Sequence, residues 1–167
     1  MTPAPGTPPA IEPALAPREP VLFGRPVPRA TWIERVTCLV GVLAAGVVLF
    51  LAARLSPDPR GVGTHEQLGL PACGLVAAWG VPCPSCGFTT TFTLAAHGRP
   101  LQAFLNQPFG LLLFCATVLA VPLGLLCLLR GASWVWLLDR LPLGRIAAVG
   151  FGLWVLSWAY KWWRMSA

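Results

Sequence analysis

Apolar residues along this chain gather into long unbroken runs instead of alternating with polar ones. Residues 36–55 (VTCLVGVLAAGVVLFLAARL) carry no charge before Arg54, residues 109–129 (FGLLLFCATVLAVPLGLLCLL) carry none, and residues 146–163 carry none before Lys161. A helix of about 20 apolar residues matches the hydrocarbon thickness of a bilayer, so the pattern predicts three transmembrane helices. Residues 67–96 also lack charge, yet Pro71, Gly74, Gly80, Pro82, Pro84 and Gly87 interrupt them. Proline removes a helical donor and Gly–Pro clusters mark turns, so no single helix runs through 80–87. The expected order is a short helix near 72–79, a corner, a helix over 88–96 ending at Gly98-Arg99-Pro100, and a short helix over 101–106. Neither of the first two pieces can span a bilayer alone. Together, over about 70–97, they predict a re-entrant or interfacial helical hairpin, whose irregular backbone needs protein or water around it at membrane depth. The expected fold class is an all-α integral membrane protein with three transmembrane helices plus this cysteine-containing hairpin.

Residues 1–30 hold nine of the 18 prolines and few large apolar residues besides Val21-Leu22-Phe23. Such a segment buries too little surface to offset its ordering entropy, which predicts a disordered Pro-rich tail ahead of a membrane domain over 31–167. The first apolar run is longer than the roughly 7–15 residues of a signal-peptide core, so it is expected to persist as a membrane anchor.

Composition sharpens this reading. The chain is 56% hydrophobic and 11% charged, against about 25% charged in soluble domains. Its net charge of +6 is scattered over tails and loops. Scattered arginines flanking spans suit lipid headgroups, and the absence of a basic stripe argues against nucleic acid. Trp154, Trp158 and Trp162 recur at four-residue spacing before Trp163 and Arg164, which reads as an aromatic and basic belt at the headgroup boundary. With the N-terminus inside and three crossings, Arg18, Arg25, Arg29, Arg35, Arg130, Arg140 and Arg145 lie on the cytoplasmic side. Arg54, Arg60, Arg99, Lys161 and Arg164 lie outside. A fourth crossing would give the same ratio, so the positive-inside rule favours a cytoplasmic N-terminus and leaves three or four spans open. No Asp or Glu sits in the middle of a span, which counts against a pump or coupled transporter.

The densest chemistry lies at 81–91, Val-Pro-Cys-Pro-Ser-Cys-Gly-Phe-Thr-Thr-Thr. Pro82 and Pro84 stiffen this CPxCG turn, Gly87 releases it, and Cys83 and Cys86 project to one side. Three readings stay open. As a zinc or iron knuckle, the site takes Cys83, Cys86, Cys73 and a fourth ligand. His65, on a flexible loop, is the better fourth candidate. His97 lies eleven residues from Cys86, roughly 16 Å along a helix. As a membrane thiol–disulfide oxidoreductase, Cys83 and Cys86 are the reactive pair near a helix N-terminus, with Cys73 as shuttle partner. As a stiff structural corner, the cysteines only pack, and Thr89, Thr90 and Thr91 cap the next helix. Thr89, Thr93 and His97 fall at i, i+4 and i+8, a polar stripe suited to another helix or a water-lined cavity. Cys38, Cys115 and Cys127 lie inside spans and read as small hydrophobes. No nucleotide loop, catalytic triad or paired-carboxylate site is visible.

The order Cys73, Gly80-Val-Pro-Cys83-Pro-Ser-Cys86-Gly87-Phe88-Thr89, His97-Gly98, Ala103-Phe104 and Asn106-Gln107-Pro108 before an apolar run resembles the bacterial membrane-protein family of unknown function DUF2752. The resemblance covers roughly 70–130. It implies a small helical protein of the bacterial inner membrane and no established activity. Many members carry Thr-Arg and Gly-Asp where this chain has Thr89-Thr90 and Gly98-Arg99, so an Arg–Asp pair that they could form is missing here. The leading expectation is a non-enzymatic subunit or assembly factor of a membrane complex, with the bilayer and either a membrane protein or a second copy as partners.

Overall fold

The computed structural model describes residues 19–166. Seven helices carry the fold: α1 (Trp32–Arg54), α2 (Gly74–Trp79), α3 (Phe88–Ala96), α4 (Pro100–Asn106), α5 (Pro108–Arg130), α6 (Trp134–Asp139) and α7 (Leu143–Ser166). Three of them, α1, α5 and α7, are long and apolar enough to cross a membrane. Their outer faces are bare apolar surface, with Val40, Leu119 and Leu156 about 60% or more exposed. Bilayer hydrocarbon is the solvent such faces suit. The pieces predicted at 72–79, 88–96 and 101–106 are α2, α3 and α4.

Helix ends follow from local chemistry. Thr31 and Glu34 form a capping box at the start of α1, each side chain accepting from the other's backbone N–H. Pro108 occupies the first turn of α5, where a missing donor costs nothing. Gly98 takes φ +71° beyond α3, and Arg99 N–H returns to Leu94 O at 2.9 Å. α1 and α5 approach closely at Gly124. A Cβ there would lie 2.5 Å from a Val42 methyl, so only glycine permits this contact.

Part of the expected disordered tail, residues 1–18, lies outside the described residues. The rest of it differs from the expectation. Val21–Leu22 (β1) and Arg25–Pro26 (β2) form a small antiparallel hairpin. Leu22 and Val27 pack with Cys127 and Ala132 in a small core, and Arg29 pairs in a β-bridge with Ala132. Two apolar residues buried against the α5–α6 junction supply the order that composition alone did not predict. Ser133 donates to the Glu34 carboxylate, and Trp134 Nε1 donates to Glu34 O at 3.0 Å. The N-terminal end of α1 is thus clamped to α6.

Candidate functional site

The thiol corner begins where α2 stops. Gly80, at φ +68°, terminates that helix. The chain then runs through Pro82, whose side chain is fully buried, into a turn closed by Cys86 N–H to Cys83 O at 2.9 Å. Cys73 stands at the N-cap of α2. These elements bring three sulfurs together. Cys83 Sγ lies 3.0 Å from Cys86 Sγ, and Cys86 Sγ lies 3.3 Å from Cys73 Sγ. All three fall within 4.8 Å of one another, close enough to hold a metal ion. Cys86 is buried, whereas Cys73 and Cys83 are half-buried.

Their environments differ. Backbone N–H of Val76, at the start of α2, is the chief cause lowering the Cys73 thiol to about 7. Cys86 and Cys83 thiols and the Leu75 N–H act in the same direction, and desolvation opposes them. Burial pushes the Cys86 thiol up, and the Cys83 and Cys73 thiols add to the rise. The cluster thus holds one readily ionised sulfur and one reluctant one.

The sulfurs face a cavity of about 620 Å³ that His65, Glu66, Thr89 and Thr90 also line. His65 shares this cavity but is not part of the converging set; its Nε2 lies 3.2 Å from Pro71 O. His97 sits at the far end of α3, with Nδ1 2.8 Å from Thr93 O. Among the described residues, the cysteines gather without a histidine.

The threonines do not cap α3 as expected. Gly87 is the N-cap, at φ +91°, and no side chain bonds there. The predicted stripe is also redistributed: Thr90, Thr91 and Thr93 are fully buried, and His97 is exposed. Thr90 shares a 2.8 Å hydrogen bond with Thr64 from the 56–69 loop. Thr93 Oγ1 donates to Thr89 O at 2.8 Å.

Three residues outside the CPxCG turn fasten the corner, Asn106 of the motif order and two from the last span. Asn106 Nδ2 donates to Gly87 O at 3.2 Å and to Thr91 Oγ1 at 2.9 Å. Its Oδ1 accepts from Lys161 Nζ at 2.7 Å, and that ammonium also donates to Gly61 O at 3.0 Å. Trp158 Nε1 donates to Pro82 O at 2.9 Å. Lys161 and Trp158 therefore face the protein and not the headgroup belt. Lys161 is 5% exposed. Their signal in the sequence was i, i+3 spacing on one face of the last span, with Ser157 beside them. Ser157 Oγ accepts from Phe109 N–H at 3.1 Å.

No curated protein and no solved structure matches the chain. Residues 73–121 match the model of a family described as a protein of unknown function (DUF2752). That stretch contains all three converging cysteines, Gly87 and Asn106, so the resemblance carried by the motif order rests on the corner and its support.

Proposed function

We propose that this chain is a small, non-enzymatic membrane subunit or accessory factor whose Cys73–Cys83–Cys86 corner holds one zinc or iron ion as a structural knuckle. The convergence of three thiols within 4.8 Å carries this reading. A tetrahedral site takes four N or S ligands, and these thiols supply three of them. Zinc–sulfur bonds of about 2.3 Å place tetrahedral sulfurs about 3.8 Å apart, so the Cys83–Cys86 and Cys86–Cys73 pairs need only a small opening. The fourth ligand would come from the cavity side, from His65 after release from Pro71 or from a partner. Leu75 and Trp79 of α2 are 40% and 76% exposed beside the site and supply an apolar surface for a partner or the membrane interface. The family resemblance implies a bacterial inner membrane, and the arginine distribution supports a cytoplasmic N-terminus there, which with three crossings would put the thiol corner on the opposite side.

Elemental analysis of detergent-purified protein, prepared without chelator beside a Cys83→Ser/Cys86→Ser variant, tests the knuckle. Near-stoichiometric metal that the variant loses is the expected result. Metal-free protein in both preparations refutes it. Recovery of only the lone chain from mild-detergent extracts counts against the subunit role.

One observation favours a second reading, membrane thiol–disulfide exchange. The Cys73 thiol is lowered to about 7 and its sulfur lies 3.3 Å from Cys86, placed to attack Cys86 once a partner's disulfide has oxidised the Cys83–Cys86 pair, with Cys83 as the leaving thiolate. If Cys83→Ser and Cys86→Ser leave the redox state of co-purifying proteins unchanged, this reading fails.

A further inference from the structure

A second cavity, of about 510 Å³, lies on the other side of Lys161 from the thiol corner. Its charged lining comprises Arg60, Arg99, Lys161, Arg164 and Asp58. Asp58 is already committed: Arg60 Nε and Nη2 bind its carboxylate at 2.8–3.2 Å. Glu66 takes a further bond from Arg60 Nη2 at 3.0 Å. Arg99 has no side-chain partner among the described residues, and Arg164 donates only to neutral oxygens, Leu105 O and Tyr160 OH.

Lys161 is the informative member. The residue is buried, and both of its hydrogen-bond acceptors are neutral. Lys161 makes no ion pair among the described residues. An ammonium has three donors, so one is left over, and a buried charge without a counter-charge is costly. A concave site with three cations free of carboxylate partners, one of them buried, has the chemistry of an anion receptor.

We propose that this cavity binds a phosphate-type anion, either the headgroup of an anionic phospholipid or a free phosphate, with Lys161, Arg99 and Arg164 as its ligands. The site shares Lys161 and Asn106 with the support of the thiol corner but uses none of the thiols. Lys161 supplies the fixed, desolvated charge at the base, and Arg99 and Arg164 close over the anion from the exposed rim. Gln102, on α4 in the same lining, adds an uncharged donor.

The test uses the full chain with two probes. Inorganic phosphate is titrated calorimetrically into protein in neutral detergent, with chloride at matched ionic strength as control. Lipid retention is read by native mass spectrometry from nanodiscs of phosphatidylcholine alone or with phosphatidylglycerol. The Arg99→Gln/Arg164→Gln variant, at exposed positions, leaves the packed interior intact, and Lys161→Met is the second variant. The expected result is binding of at least one probe, weakened tenfold or more in the double variant. Phosphate alone identifies a free anion as the ligand, and phosphatidylglycerol alone identifies a headgroup. Binding of neither probe, or equal binding by the double variant, overturns the proposal.

Discussion

Gly87→Ala is the most discriminating single substitution at the corner, and Gly80→Ala is its control. Both glycines have positive φ, +91° and +68°, and an alanine forced there costs about 1–2 kcal/mol at either site. The surroundings differ. A Cβ on Gly80 meets nothing within 4 Å, whereas a Cβ on Gly87 lies 2.9 Å from Gly61 O, 3.2 Å from Asn106 Nδ2 and 3.3 Å from Lys161 Nζ. The Gly61 oxygen is backbone and also accepts from Lys161, so it cannot swing away. Overpacking of this kind adds about 1–3 kcal/mol. Gly87→Ala should therefore unfold below Gly80→Ala by on the order of 3–10 °C for a chain of this size. The assay is thermal unfolding in one detergent, with alkylation of buried Cys86 as a local probe. Gly87→Ala should accelerate that alkylation and Gly80→Ala should not. Equal midpoints and equal Cys86 reactivity would show that the Gly87–Gly61 contact does not hold the corner.

Further outcomes follow from the same geometry. Thr90→Val removes the buried bond to Thr64, whose hydroxyl then keeps only the Asp58 N–H, and should destabilise by about 1 kcal/mol, an effect that is refuted if unfolding is unchanged. In reduced, metal-free protein, alkylation of Cys73 mapped by mass spectrometry should rise through about pH 7, because its lowered thiol ionises there. By linkage the lowered thiol adds stability above its ordinary value near 9, and that contribution is lost as pH falls through about 7. A Cys73 profile centred near 9 would rule this out. Zinc added to apo protein should slow amide exchange of α2 at least tenfold, and unchanged exchange there would contradict a knuckle that includes Cys73.

The spans and the three small helices were legible because their signals are local. Apolar runs are as long as a bilayer is thick, and Gly80, Pro82, Pro84 and Gly87 break the chain where α2 and α3 separate. The meeting of Cys73 with Cys83 and Cys86 was legible as a candidate because few residues separate them. What stayed hidden depends on facing. A Trp and Lys cluster at the end of a span has one sequence pattern whether it meets headgroups or a loop. Only packing shows that Trp158 reaches Pro82 O and Lys161 reaches Gly61 O and Asn106. Three threonines after a turn resemble caps, but a glycine N-cap at positive φ moved them into the helix, where Thr90 and Thr91 find Thr64 and Asn106. The hairpin at 21–26 was too short for periodicity to register.

The fastening of the three cysteines is unequal, and that bears on what the site is for. Cys83 and Cys86 sit in a turn gripped from α7 by Trp158, from α4 by Asn106 and from the 56–69 loop by the Gly61 contact. Cys73 belongs to α2, which buries none of its six residues. Few packed contacts mean a low local cost of opening, so α2 is the piece expected to move. An ion bound by all three sulfurs would tie this loose helix to a fixed corner across the 73–86 loop and hold Leu75 and Trp79 in one orientation. Without it, a lowered Cys73 thiol on a mobile helix beside two fixed sulfurs is the arrangement exchange chemistry uses. The same geometry thus separates the two readings by a physical variable, the mobility of α2, and binding of an ion is what would set it.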